Sequence, residues 1–384
     1  MMKKSFCLLL LLMSSALLWG QDDIEVINIE NRAVQEYMAD TERTYAENND
    51  YRVSVITKYN NPEVYGKGLH FPQGKLVTWQ TQISADSLEQ ILITASEYSN
   101  YSDAYTFCPD AATDTSFIIR NLLPDRIYYY KVEAQTVGGR LSELVSGIFR
   151  TVGQVRMIHV RNCSNVRDLG GWPTQYGVPV MYGRLFRSAS LERMNSNGRH
   201  DFVENLDVTA ELDLRHEVNR TTSCLGADMD YLRLRHDPSL RSLTQKNPVY
   251  AKDLRWIIDR LKEGQNVDFH CAIGCDRTGT LAFLIEGLLG LSELDLCRDF
   301  ELSTLSLSTK NKRQRATLSG MIAHVRKFGK PNDLAGCFYN YWLSLGMKRE
   351  ELNFFIGEML GIPDFENPEE DIEPTTYEQQ YFEN

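Results

Sequence analysis

Cys271 and Arg277 close the two ends of the stretch His270-Cys271-Ala272-Ile273-Gly274-Cys275-Asp276-Arg277-Thr278. Five residues separate thiol from guanidinium, a spacing that lets the backbone curl round one tetrahedral oxyanion while the arginine grips it bidentately. An apolar strand, 267–269, delivers His270 and Cys271 to a turn containing Gly274, and the apolar run 281–291 predicts the helix that follows. Strand, loop and helix start together make an anion site, because the first amide N–H groups of a helix are unpaired and its dipole is positive there. The same field, with Arg277, lowers the pKa of Cys271 and yields a thiolate able to attack phosphorus. Thr278 is placed to donate a hydrogen bond to that sulfur when it departs. Ala272, Ile273, Gly274, Cys275, Asp276 and Arg277 would line the anion.

Such chemistry also needs an acid to protonate the leaving oxygen. Two aspartates stand at the ends of these elements, and the choice of acid rests on the resemblance given below, which leaves both open. Asp237 follows a strand predicted over 229–234, in the run His236-Asp237-Pro238, and Asp276 immediately precedes the loop arginine. Arg233, Arg235 and Arg241 surround Asp237, either drawing anions to the site or facing solvent. His270 is expected to tune the loop through hydrogen bonds. No metal is expected, since the seven histidines show no paired-ligand spacing and Cys271-x3-Cys275 lacks a second ligand pair. No Gly-rich dinucleotide fingerprint appears, so no cofactor is expected.

The run His270-Cys271-x5-Arg277-Thr278 resembles the active-site motif of the protein tyrosine phosphatase superfamily. Asn165-Val166-Arg167-Asp168-Leu169-Gly170-Gly171, Gly183-Arg184-Leu185-Phe186-Arg187-Ser188 and Asp213-Leu214-Arg215 are similar to further motifs of its bacterial branch, which includes secreted mycobacterial lipid and protein phosphatases. That resemblance implies that Arg167, Asp168 and Arg187 buttress the floor of the site and that Asp213 lies near the phosphate loop. It implies a general acid on a loop a few tens of residues before the cysteine, the position of Asp237, whereas Asp276 keeps an aspartate that the branch often carries. Lysine is common in that branch where this chain has Cys275. Its replacement weakens, without excluding, an assignment to multiply phosphorylated lipid headgroups. The implied activity is hydrolysis of phosphotyrosine or dual-specificity phosphomonoesters through a phosphocysteine intermediate. A phosphoinositide or inositol polyphosphate phosphatase is the alternative, and a non-catalytic binding or adhesion protein the rival from another class.

The elements that must position these residues fall into five stretches. Residues 1–20 read as a secretory signal peptide, with two early lysines, an apolar run and small residues near the end; Cys7 is not placed as a lipoprotein cysteine. Export to a periplasm or beyond the cell is expected. Losing those lysines takes the formal net charge from −11 to −13, which gives no bulk attraction to nucleic acid. Seven cysteines remain, an odd count that leaves a reactive thiol in an oxidising compartment. Cys275 is either a space-filler or a resolving partner for Cys271.

Residues 21–50 read as a linker or edge segment with a short helix at 32–38. Residues 51–152 read as an all-β sandwich with strands over 52–59, 75–82, 90–96, 115–120, 127–135 and 144–151. Its stretch 121–132 resembles the fibronectin type III pattern, in which a Leu-x-Pro turn precedes a corner tyrosine, here Tyr128. The sandwich would be a spacer or a contact module for a protein or glycan partner. Residues 157–362 form the expected α/β domain, a central sheet flanked by helices that include 250–263 and 348–360. A basic stretch within 303–327 is a solvated face or a platform for a large anion. The tail 363–384 carries eight acids and no lysine or arginine, and is expected to be disordered. The oligomeric state is left open.

Overall fold

The computed structural model describes residues 24–50, 55–237, 243, 247–306 and 315–367. The expected signal peptide, Arg241, the basic residues Lys310, Lys312 and Arg313, and most of the acidic tail lie outside the described residues. None of the described helices is long and apolar enough to cross a membrane.

The N-terminal region is mostly strand. β1 (Glu25–Asn28), β3 (Leu88–Ser96), β4 (Tyr105–Phe107), β6 (Ile127–Thr136) and β7 (Leu141–Val152) form one sheet in the order β1-β7-β6-β3-β4, and β2 (Lys75–Thr78) pairs with β5 (Ser116–Ile119) in a second. Period-two alternation selects the inner face: Ile91, Ile93 and Ala95 of β3 are buried, as are Tyr128, Val132 and Ala134 of β6. Tyr128 is fully buried, and its hydroxyl accepts a hydrogen bond from the Leu123 N–H at 3.1 Å, pinning the corner before β6.

Two expectations change here. The strand expected over 52–59 is replaced, where described, by a 3-10 turn at Ile56–Lys58 whose Ile56 is buried in the C-terminal core. The segment 21–50 holds the edge strand β1 and a 17-residue helix, α1 (Arg32–Asn48), in place of a linker with a short helix. Asn31 caps it by accepting from the Val34 N–H, as an N-cap should. Its buried face, Ala33, Val34, Tyr37, Asp40 and Thr41, is partly polar, which is why apolar periodicity does not reveal it. Those polar groups have distant partners: the Tyr37 hydroxyl donates to Glu301 at 2.7 Å, and Arg298 donates to Thr41 at 2.9 Å.

The C-terminal half is mixed α/β. β8 (Arg167–Asp168), β9 (Leu185–Ser188), β10 (Val208–Asp213), β11 (Asp230–Arg233) and β12 (Asn266–His270) form a sheet in the order β11-β10-β12-β9-β8, parallel except for β8. Helices α2 (Val249–Lys262), α3 (Asp276–Leu288), α4 (Glu293–Ser306), α5 (Arg315–Val325), α6 (Leu334–Ser344) and α7 (Arg349–Leu360) pack around it. α3 is buried from Arg277 to Leu288, so its apolar run reads as continuous rather than periodic.

Parallel strands bring their carboxyl ends to one edge of a sheet, where open α/β folds place their sites. Here β12 leads into Cys271, β10 into Leu214 and β11 into the segment that reaches Asp237. A ladder registers the three ends: Leu214 N–H donates to His270 O at 2.9 Å, Leu234 N–H to Asp213 O at 3.0 Å, and His236 N–H to Leu214 O at 3.3 Å.

Candidate active site

The loop from Cys271 to Cys275 leaves β12 and turns into α3. Gly274 has φ +69°, and a Cβ there would fall 2.6 Å from the Ser188 carbonyl oxygen, so only glycine lets the loop pass β9 this closely. The loop carbonyls are tied down from beneath. Asn165, itself left-handed at φ 56°, donates from Nδ2 to Ile273 O at 3.1 Å and Gly274 O at 3.0 Å, and Arg187 donates to Gly274 O at 3.1 Å. With its carbonyls held in the floor, the loop turns amides towards the thiol, and the N–H groups of Ile273 and Thr278 are directed at Cys271 Sγ.

The floor is a buried cationic cluster. Arg167 donates to Asp299 Oδ1 at 2.6 Å, to Asp299 Oδ2 at 3.1 Å and to Asn165 Oδ1 at 2.7 Å, while Arg187 pairs with the same Asp299. Burial acts to raise the Asp299 pKa, but the two guanidiniums outweigh it and hold the carboxyl below its ordinary value. Glu286, buried beside them on α3, is pushed well above its ordinary value by burial and by Asp299. Two arginines against one carboxylate leave net positive charge under the loop.

Cys271 is buried, and burial alone would raise its thiol. The Thr278 hydroxyl and N–H, the Arg277 guanidinium and the Ile273 amide overcome that penalty, so the pKa is lowered from its ordinary value. Arg277 holds Glu217 through a two-point fork at 2.8 and 2.9 Å, and these hydrogen bonds pull Glu217 down to about 2. Burial would likewise discharge His270. Glu211, whose carboxylate lies 2.9 Å from Nε2, outweighs burial together with Asp213 and Asp268 and raises His270 to about 9. A charged imidazole therefore stands directly before the thiol, with Nδ1 3.3 Å from Cys271 O.

The residues expected from sequence do not all converge. Cys271, Arg277, Thr278 and His270 sit at the loop, with the backbone of Ala272, Ile273 and Gly274 between them. Arg167 and Arg187 lie beneath it. Asp168 does not: its carboxylate meets Arg156 at 3.0 Å and the N–H groups of Gly170 and Gly183 at 2.8 Å, pinning the turn before β9 instead of the floor. Cys275 turns its sulfur into the floor, 3.5 Å from Asn165 Nδ2 and 3.3 Å from Ile273 O, so its side chain does not line the anion's side of the loop. Asp276 occupies the first turn of α3. Asp237 is exposed at the carboxyl edge, on the far side of β10 from Cys271. The strands they follow, β11 and β12, are two strand spacings apart, roughly 9–10 Å.

Asp213 lies beside His270 in the sheet and binds Arg215 at 2.7 Å. Glu211, Asp213 and His270 bring ligand atoms within 4.8 Å of one another, as a metal site would. Arg215 and Arg220 already neutralise these carboxylates, so the cluster reads as an ion-pair network. Glu217 and Asp299 are participants that sequence reasoning does not single out, and Asn165 enters it only as the first residue of a quoted motif.

A thiol and a guanidinium at the two ends of a strand-to-helix loop, over a cationic floor, suit the class of phosphoric monoester hydrolases. Comparison with known proteins finds a family match within the C-terminal half. Residues 158–346 match the tyrosine phosphatase family, so the C-terminal half carries a tyrosine phosphatase family domain. A Cupriavidus necator protein named "Putative tyrosine-protein phosphatase" is 26% identical, over 41% of this chain and 67% of that protein. The crystal structure of TpbA from P. aeruginosa aligns with 41% of this chain and 88% of its own, at 15% identity and a TM-score of 0.28.

Proposed function

We propose that this protein is an exported phosphatase that hydrolyses phosphotyrosine or dual-specificity phosphomonoesters through a phosphocysteine intermediate. The observation that carries the reading is the lowered thiol of Cys271, encircled by loop amides and Arg277 above two buried arginines. The Cys271 thiolate attacks phosphorus, forming the S–P bond as the P–O bond to the leaving group breaks. Arg277 exchanges Glu217 for the equatorial phosphoryl oxygens, which it and the loop amides stabilise. Asp237 gives its proton to the leaving oxygen. Water then attacks the phosphocysteine, Asp237 takes a proton from it, and the Thr278 hydroxyl stabilises the departing thiolate. Asp237 is preferred to Asp276 because it follows a different strand from Cys271, whereas Asp276 belongs to the helix that cradles the anion.

The floor position of Cys275 supports a simple phosphomonoester over a multiply phosphorylated headgroup, since no cation projects from that site. The sandwich, with its pinned Tyr128 corner, is read as a fibronectin III-like contact module. Phosphate release by the reduced mature protein tests the proposal on phosphotyrosine and phosphoserine peptides, phosphoinositides and inositol polyphosphates. Release from phosphopeptides that vanishes in Cys271→Ser is expected. Asp237→Asn should lower kcat by ~10²–10⁴ on substrates with poor leaving groups, with little loss in Asp276→Asn. Preference for inositol phosphates would overturn the substrate class, and turnover surviving Cys271→Ser would overturn the mechanism.

A further inference from the structure

Directly behind Asp237 sit two fully buried ionisable side chains that the chemistry above does not use. His236 Nε2 lies 2.8 Å from Asp253 Oδ2, and both side chains are 0% exposed. Among the described residues, neither side chain has a hydrogen-bond partner beyond the other. A buried pair of this kind adds little stability over an apolar filling of the same shape. What it adds is direction.

His236 is held at three points. Its N–H donates to Leu214 O at 3.3 Å, which fixes its backbone to the end of β10. Its ring packs on Tyr250 with centroids 5.0 Å apart, and the ring edge meets Asp253. Tyr250 and Asp253 both belong to α2, so a single rigid helix holds two of the three points. In extended chain, successive side chains point to opposite sides. Turning His236 inward onto α2 therefore turns Asp237 away from that helix, and it is exposed at the carboxyl edge of the sheet.

We propose that the His236–Asp253 pair is a latch that sets the position of Asp237, which makes both members positioning residues for proton donation. The proposal rests on Asp237 being the acid. It has a chemical signature that a merely structural role lacks. A weakly basic aryl oxide leaves without help, whereas a strongly basic leaving group needs its proton delivered in the transition state. Loosening the latch should therefore slow substrates in proportion to leaving-group basicity.

The experiment follows kcat of the full mature protein across aryl phosphates of rising leaving-group pKa, up to an alkyl phosphate. Wild type is compared with Asp237→Asn, His236→Ala, Asp253→Asn and the α2 core variant Ile257→Ala, all checked for folding by circular dichroism. Wild type should show a shallow dependence and Asp237→Asn a steep one. His236→Ala should steepen it too, losing roughly tenfold to a hundredfold on the poorest leaving group and changing little on the best. Ile257→Ala should lower stability and keep the wild-type slope. Where His236→Ala does not fold, the isosteric Asp253→Asn decides. A folded latch variant with the wild-type slope overturns the latch, as does Ile257→Ala steepening as much as His236→Ala. A shallow slope in Asp237→Asn overturns the acid assignment instead, and activity persisting in Cys271→Ser overturns the phosphatase mechanism beneath both.

Discussion

Cys271 lies where two effects oppose each other, and the sign of the outcome is testable. Burial disfavours a thiolate, while two amides, a hydroxyl and a guanidinium favour it. The alkylation rate of Cys271 by iodoacetamide should rise with a midpoint below that of an ordinary thiol, near pH 8.5. Thr278→Ala should move that midpoint upward, and a midpoint unchanged in that variant would remove Thr278 from the sulfur's environment.

His270 provides a second pH test. Its folded pKa is raised to about 9, so its contribution to stability is fully present below about 6.5, the unfolded value, and is lost as pH rises through about 9. The linkage amounts to roughly 3 kcal/mol, and Glu211→Gln should flatten it in denaturation curves taken from pH 6.5 to 9.5. The Cys271-to-Arg277 spacing makes these residues legible in sequence. Glu217 and Asp299 are not, because each is a lone carboxylate whose arginine lies 60 and 132 positions away. Only the fold brings the partners together.

At the scale of elements, the site depends on a helix that carries none of the expected residues. α4 supplies Asp299, which holds Arg167 from β8 and Arg187 from β9, and Ser303, whose hydroxyl oxygen accepts from Asn165 and Arg167 at 3.3 Å. Removing one member of a buried ionic cluster costs more than the cluster contributes, because the remaining charges stay buried without compensation. Asp299→Asn should destabilise the protein by about 3–5 kcal/mol in urea unfolding. A loss below about 1 kcal/mol, the range of surface pairs, would mean that water reaches the floor. The strand, loop and helix around Cys271 were legible from apolar runs. α4 was not, because Asp295, Arg298, Asp299 and Glu301 are buried on it, and buried charge erases the apolar stripe that marks a helix in sequence.

For the whole molecule, the consequence concerns where the catalytic half begins. Sequence patterning places that boundary at 157, where short strands give way to α/β alternation. The core ignores it: Val34, Tyr37, Ile56 and Leu69 are buried in the same cluster as Phe269, Leu284 and Trp342. α1 lies on α4 through the Tyr37–Glu301 and Arg298–Thr41 hydrogen bonds, so the N-terminal segment braces the helix that holds the arginine floor. Each such apolar side chain contributes about 1.5–3 kcal/mol when fully buried. Losing four removes an amount comparable to the 5–15 kcal/mol that typically separates a folded domain from its unfolded chain. A fragment beginning at 157 should therefore unfold at a much lower temperature than one beginning at 24, and should lose phosphate release with it. Tyr37→Phe isolates the brace without removing the helix: it should cost about 1–3 kcal/mol by leaving Glu301 short of a buried donor. A 157-start fragment as stable as the longer one would show that α1 merely covers a core already complete. A fragment that folds and yet loses turnover would place α1 in the support of the floor itself.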